Sequence, residues 1–315
     1  MYYFITNIHG ASGKALLIWK KIKKYLIENG VQYKHLLSQG VGHAGDLAKS
    51  VLENDDTDKK IVVVGGDGTI NEVLNGIASS SFGEDSFSKV QFGVIPTGSG
   101  NDYCRGVGIK RGSRNTIRVL KGILSSEGND KIDLGKVTAD GKTRYFGISS
   151  GIGMDAIVTK TVNESKLKKF LNKLKIGGSA YILVTLHTLA TMKFYKVKAK
   201  FDGGEEVPFN KLIFLAGMNL FAEGGGVKMA PKARRDDGKI TACIANGILR
   251  GLVYFVFPFL VIGAHSKIKG FTVKPFSTLE VESEEPLVLH TDGEYAGDVK
   301  NIKWESLPLA MRILN

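Results

Sequence analysis

Up to about residue 132 the hydrophobic pattern switches between two periods in regular order. The short apolar run "YYFITN" reads as a strand, and in the following "KALLIWKKIKKYLIEN" the residues Ile18, Ile22 and Leu26 recur at i, i+4 and i+8, which predicts one buried helical face. The alternation goes on through "VQYKHLLS", a helix from about His43, the strand "KIVVV", a helix after Thr69 and the strand "VQFGVI". Repeated βα units of this kind predict a parallel sheet covered by helices.

From about residue 133 the texture becomes longer strand-like segments separated by turn residues, among them "KIDLGKVTA", "KLIFLAGMNL", "GKITACIA" and "FTVKPFSTLEVE". The expected fold is therefore an α/β domain over 1–132 followed by an antiparallel β-sandwich-like domain over 133–299. Helices are inserted in the second at about 154–192 and 248–264. A return of residues 300–315 to the first domain is left open.

Composition narrows the function classes. Lys+Arg of 43 against Asp+Glu of 31 gives a net charge of +12, which favours anionic partners: nucleotides, nucleic acid or acidic lipid surfaces. Only two cysteines, Cys104 and Cys243, are present, neither a disulfide framework nor a zinc spacing, so a reducing cytoplasmic setting is expected. The start "MYYFITNIHGASGK" lacks a basic n-region and an apolar h-region, so no signal peptide is expected. The most apolar stretch, "LVYFVFPFLVIGA" at 252–264, is shorter than the roughly 20 residues a spanning helix needs and is read as buried or interfacial.

Two glycine-rich turns follow strands. In "VVVGGDGTINEVLNGI" the dinucleotide pattern G-x-G-x-x-G fails at Asn71, and "HGASGKA" fails as a Walker A loop because Ile8 stands where a glycine is required. What remains is "GGDGT", whose amides and following helix N-terminus can receive an anion. A plain capped turn reads equally well, with Thr69 as N-cap and Glu72 completing a capping box. The second turn, "GVIPTGSGNDYCRGVGI", repeats the design and leads into a helix near Asn101. Two such turns at the carboxyl ends of parallel strands mark the usual ligand crevice of an open α/β sheet.

These two segments resemble the catalytic domain of the diacylglycerol kinase family in its bacterial form. The resemblance continues in order through "YFGISSGIGMDAIV", "GSAYIL", "FAEGGGVKMAPKARRDDGKI" and "HTDGEYAG", and so covers nearly the whole chain. "GGDGT" is shared with NAD kinases and phosphofructokinases; "PTGSGND" and the "GGG…AP…DDG" segment are more specific. The resemblance implies an ATP-binding first domain. Asn7, Ser12, Gly13 and Lys14 would lie under the phosphates, Gly65, Gly66, Asp67, Gly68, Thr69, Ile70 and Asn71 would form the nucleotide turn, and Ser38, Ser99, Asn101 and Asp102 would add to it. The start Asn7-Ile8-His9 departs from the family's usual Asn-Pro.

Phosphoryl transfer needs charge neutralised on the γ-phosphoryl group and a hydroxyl relieved of its proton. Asp67 can hold Mg²⁺ directly or through water, Lys14 can neutralise phosphate charge, and Arg105 stands one helical turn from Asp102 and can pair with it. On its own "HTDGEYAG" reads as a solvated Asp-Gly hairpin tip. By resemblance Glu294 matches the catalytic base, Asp292 and Asp133 match acidic residues of the active-site network, and Asp237 with the carbonyls of Arg234 and Lys239 matches a structural magnesium site. Cys104, Cys243 and His290 are read as packing or surface residues, since no partner stands at catalytic or ligand spacing.

The helix expected at 164–175, "ESKLKKFLNKLK", places leucines and Phe170 on one face and lysines on another, a pattern suited to core packing or to an anionic membrane. The expected protein is an ATP- and Mg²⁺-dependent kinase of a lipid hydroxyl such as that of diacylglycerol. It is expected in the cytoplasm, with access to the inner membrane face, with no nucleic-acid partner and with a homodimer left open. The rivals are an NAD kinase-like enzyme of a soluble substrate and a non-catalytic nucleotide or anionic-lipid sensor.

Overall fold

The computed structural model describes residues 1–7, 14–53, 58–164, 187–189 and 191–315. The chain forms two compact units: Met1–Leu134 with Arg235–Asp237 and Leu307–Asn315, and Gly135–Arg234 with Gly238–Ser306.

The first unit runs β1 Tyr2–Asn7, α1 Lys14–Glu28, β2 Tyr33–Ser38, α2 His43–Glu53, β3 Lys59–Gly65, α3 Asp67–Ala78, β4 Val90–Pro96, α4 Asp102–Gly106 and α5 Thr116–Ser125. Its strands lie side by side in the order β2-β1-β3-β4, all parallel. Residues 312–314 of a later strand extend the same sheet beside β4. The apolar period read for α1 is the packing face: Ile18, Trp19, Ile22 and Leu26 meet Phe4, Val62, Val64 and Ile95 of the strands. Burying each such side chain contributes about 1.5–3 kcal/mol against leaving it in water. α2 and α3 approach so closely that a Cβ on Gly45 would sit 2.8 Å from the Glu72 carbonyl oxygen.

Register brings the strand ends level. Asn7 pairs with Ser38, Thr6 with Val64, and Gly65 with Pro96. The chain leaves β1 towards β2 on one side and reaches β3 on the other. The switch point of the sheet therefore falls between β1 and β3, where ligand crevices form in open α/β sheets.

The second unit takes in most of β5 Lys131–Ala139, then β6 Lys142–Phe146, β7 Ser149–Gly153, α6 Met154–Glu164, β8 Tyr195–Phe201, β9 Glu206–Met218, β10 Ile240–Asn246, α7 Arg250–Ile262, β11 Phe271–Phe276 and β12 Thr278–Thr291. Most of β13 Glu294–Leu314 also belongs to it. Its pairing is antiparallel along β11-β10-β9-β7-β12-β13, with β8 beside β9 and β12, and β5 with β6 as a hairpin. Period-2 alternation along these strands buries Phe146, Ile152, Leu215, Phe276, Leu289 and Trp304 in one core. The buried Trp304 ring donates from Nε1 to Ser150 Oγ at 3.0 Å, which satisfies its polar edge. The helix expected over 154–192 is described as α6 up to Glu164; residues 165–186 and 190, which hold all but the first residue of the stripe read at 164–175, lie outside the described residues.

Candidate active site

The turn after β3 differs from a Thr69 cap. α3 begins at Asp67, with Gly66 in extended geometry (φ −105°, ψ −174°) as its N-cap and no side-chain capping bond. Thr69 is inside the first turn, and its hydroxyl accepts the Asn7 side-chain amide at 3.0 Å, a bridge across the β1–β3 switch point. Glu72 reaches away from the expected capping box to accept the Ala44 amide at 3.3 Å.

The second turn docks on the first through backbone. The Thr97 amide donates to the Gly65 carbonyl at 2.9 Å, and a Cβ on Gly98 would sit 2.8 Å from the Gly66 Cα. Gly98 has no room for a Cβ, and one on Gly66 would come 3.1 Å from the Gly98 Cα, because the two main chains touch. The carboxylate of Asp67 then accepts the amides of Asp102 and Tyr103, both at 3.1 Å, and so caps α4 from another loop. Asn101 precedes α4 at φ +50°, a left-handed conformation Asn tolerates, and donates to the Gly98 carbonyl at 2.6 Å. Arg105 pairs with Asp102, as expected from their one-turn spacing.

Burial raises the Asp67 carboxyl above its ordinary range more than these amides and the Arg105 charge lower it. A buried carboxylate of this kind suits a hard divalent cation, whose charge offsets the desolvation. Ser99 is exposed on the loop, and Ser38 is buried with its hydroxyl donating to the Gly40 carbonyl at 3.2 Å. Ile70 is different in kind: its side chain is in the core and its amide donates to the Gly66 carbonyl at 3.1 Å, so it frames the turn and offers a ligand neither group. Asn71 is also buried. Ser12 and Gly13 lie outside the described residues, as does the side chain of Lys14.

Asp133, also in the first unit, is fully buried. Its carboxylate accepts the Leu309 amide at 2.7 Å, and its own amide donates to the Arg235 carbonyl at 2.7 Å. Leu309 sits at φ +47°, a conformation leucine rarely adopts, so Asp133 holds a strained bend in β13. Asp237 counts with the first unit, Arg234 and Lys239 with the second, and Lys239 donates to Ser277 Oγ at 2.6 Å.

In the second unit the Asp-Gly dipeptide does form a hairpin tip. Thr291 pairs with Glu294 around Asp292 (φ +49°) and Gly293 (φ +80°), the positive pair of a type I′ turn. The tip is not simply solvated. Asp292 is buried and accepts the amides of Gly147, Ile148 and Ser149 at 2.9, 2.7 and 3.0 Å, whereas Glu294 next to it is exposed. The turn thus fixes one carboxylate to the start of β7 and presents the other.

His290 is buried, the packing alternative of its sequence reading, but it has a partner the sequence does not show: its Nε2 donates to Asp155 on α6 at 3.0 Å. Glu223 accepts the Ser149 hydroxyl beside them. Burial pulls the imidazolium down, but the charges of Asp155, Glu223 and Asp292 outweigh it and hold His290 up at about 9. Burial likewise lifts Glu223 to about 7. The Gly293 amide donates to Nδ1 at 3.4 Å, a long hydrogen bond that ties the ring to the hairpin turn. Asp155, Glu223 and His290 bring donor atoms within 4.8 Å of one another, the only such metal-sized group among the described residues, and within it Nε2 of His290 is hydrogen-bonded to Asp155. The cluster is a hydrogen-bonded brace under the hairpin. No local signal could reveal it, since His290 and Asp155 are 135 residues apart. Cys104 and Cys243 are buried packing residues, as read, with burial pushing both thiols up.

The first unit thus carries two glycine-rich turns on a parallel sheet, and the second is an antiparallel unit with an acidic hairpin. The diacylglycerol kinase catalytic domain family matches residues 1–137, and the YegS C-terminal NAD kinase beta sandwich-like domain family matches residues 148–315. The chain belongs to the diacylglycerol kinase family of lipid kinases. It is 29% identical over 317 residues to the Bacillus subtilis (strain 168) protein named "Putative lipid kinase YtlR", covering 99% of this chain and 98% of that one. A protein named "Diacylglycerol kinase" from Staphylococcus carnosus (strain TM300) is 29% identical over 271 residues, covering 86% and 80%. Among solved structures, a "putative diacylglycerol kinase from Bacillus anthracis str. Sterne" superposes with a TM-score of 0.76 at 21% identity, over 99% of this chain and 94% of that one, which shows the shared fold.

Proposed function

We propose that this protein transfers the γ-phosphoryl group of ATP to a lipid hydroxyl, that of diacylglycerol or a close relative, in a Mg²⁺-dependent reaction. The observation that carries the reading is the double turn of the first unit. Backbone of Gly65 and Gly66 meets that of Thr97 and Gly98 directly, and the Asp67 carboxylate is fixed beside them by the amides of Asp102 and Tyr103. Such a turn binds phosphate through main-chain amides and a helix N-terminus. Mg²⁺, when bound, supplies charge neutralisation on the phosphoryl oxygens. Asp67 is the residue that would hold it, directly or through water, and Asp237 is the candidate for a second, structural ion.

Exposed Glu294 is proposed to take the proton of the lipid hydroxyl, held in place by the Asp292 clamp one turn residue away. Arg105 keeps Asp102 paired so that the α4 terminus stays available to Asp67. One observation favours a second reading, a kinase of a soluble NAD-like substrate: the family matching the second unit is itself described as NAD kinase-like. Labelled ATP offered with diacylglycerol, sphingoid bases, other lipid extracts and NAD in parallel separates the two. Preferential labelling of a lipid supports the proposal, and preferential labelling of NAD defeats it.

A further inference from the structure

A surface helix of a water-soluble protein ordinarily turns polar residues outward. α7 does not. Val253, Val256 and Leu260 pack inward, yet the opposite face is also apolar: Leu252, Phe255, Phe259 and Ile262 recur at i, i+3, i+7 and i+10 and are 53%, 75%, 47% and 63% exposed. Residues 249–262 hold seven of the sixteen large apolar side chains exposed among the described residues, so the apolar surface is concentrated here and not scattered.

Two segments at the helix carry charge of one sign. Residues 247–270 contain no Asp or Glu, and neither do residues 224–235. That second segment packs at the helix end, where the Lys228 amide donates to the Val261 carbonyl at 3.3 Å and Gly263 abuts Pro231. Lys228, Lys267 and Lys269 are all exposed there. α7 is 13 residues long, and among the described residues no helix is long and apolar enough to cross a membrane.

We propose that α7 is a membrane-docking helix that lies in the headgroup region of an anionic bilayer. Leu252, Phe255, Phe259 and Ile262 enter the acyl boundary while Lys228, Lys267 and Lys269 meet lipid phosphates. The apolar face supplies the burial and the lysine rim selects the surface charge, the two components of interfacial helix binding. This assignment deepens the lipid-kinase reading and rests on it, since the acceptor hydroxyl is in the bilayer.

The test uses the full chain and vesicles without diacylglycerol or ATP, so that binding is read apart from catalysis. Wild type should co-sediment with phosphatidylcholine–phosphatidylglycerol vesicles and less with phosphatidylcholine alone. Phe255→Ser/Phe259→Ser should weaken binding roughly tenfold or more at unchanged Tm. Lys267→Glu/Lys269→Glu should weaken it on the anionic vesicles only. Absent wild-type binding, or a serine variant that binds like wild type, overturns the assignment. So does a wild-type dimer that the serine variant turns into a monomer while vesicle binding stays the same, because the face then belongs to a second copy. If vesicles bind but no lipid is phosphorylated, the functional reading fails and the docking surface stands.

Discussion

Asp67 and Asp102 are 35 residues apart in sequence, and the carboxylate of the first accepts the main-chain amide of the second at 3.1 Å. The bond ties the turn after β3 to the turn after β4, so one carboxylate both caps α4 and orders the surface on which phosphate would rest. Asp67→Asn replaces one accepting oxygen by a donor facing an amide. Stability should fall by about 2 kcal/mol, measured by chemical denaturation, and kcat by roughly a hundredfold or more. Unchanged activity would separate Asp67 from the chemistry.

Glu294 is exposed at the hairpin tip, so its replacement costs little structure. Glu294→Gln should leave Tm and ATP affinity unaltered and lower kcat by about 10²–10⁴, the range for removing a general base. Full turnover in that variant would remove Glu294 as the base.

Gly98 tests the backbone contact. Its Cβ would come 2.8 Å from the Gly66 Cα, so Gly98→Ala has to push the two turns apart. The expected loss is about 1–3 kcal/mol of stability, together with weaker ATP binding by calorimetry. Ser99→Ala, on the exposed side of the same loop, should leave stability within about 0.5 kcal/mol of wild type.

The His290 cluster gives a pH dependence with a definite sign. Both Glu223 and His290 hold their protons more tightly folded than unfolded, Glu223 at about 7 against 4.5 and His290 at about 9 against 6.5. Their contribution to stability is therefore full at low pH and lost as pH rises through those windows, with a His290 share of at most about 3 kcal/mol. Tm should decline from about pH 4.5 to about pH 9 in wild type, and the slope should flatten in Glu223→Gln/His290→Gln.

Much of the first unit is legible in the sequence because its signals are local. The β-branched runs that end in glycine are strands whose carboxyl ends lie level, and the i, i+4, i+8 series of α1 is its packing face. Capping was misread at Thr69 because a hydroxyl three residues before Glu72 satisfies the capping rule. In the fold, long-range partners take both groups: Asn7 for Thr69 and the Ala44 amide for Glu72. The hairpin at Asp292 was legible as a turn from its dipeptide, but its burial depends on three amides from residues 147–149, far away along the chain. His290 was illegible for the same reason, its meaning residing in Asp155 and Glu223.

Residues 307–315 belong to the first unit, and 312–314 pair with Gln91, Phe92 and Gly93 of β4. A ribosome makes most of that unit first and these residues only after the whole second unit has been translated. The first unit is thus begun early and closed late, and until it closes β4 is an open sheet edge. The nascent chain must keep that edge from pairing with a neighbour for the time it takes to synthesise the intervening residues.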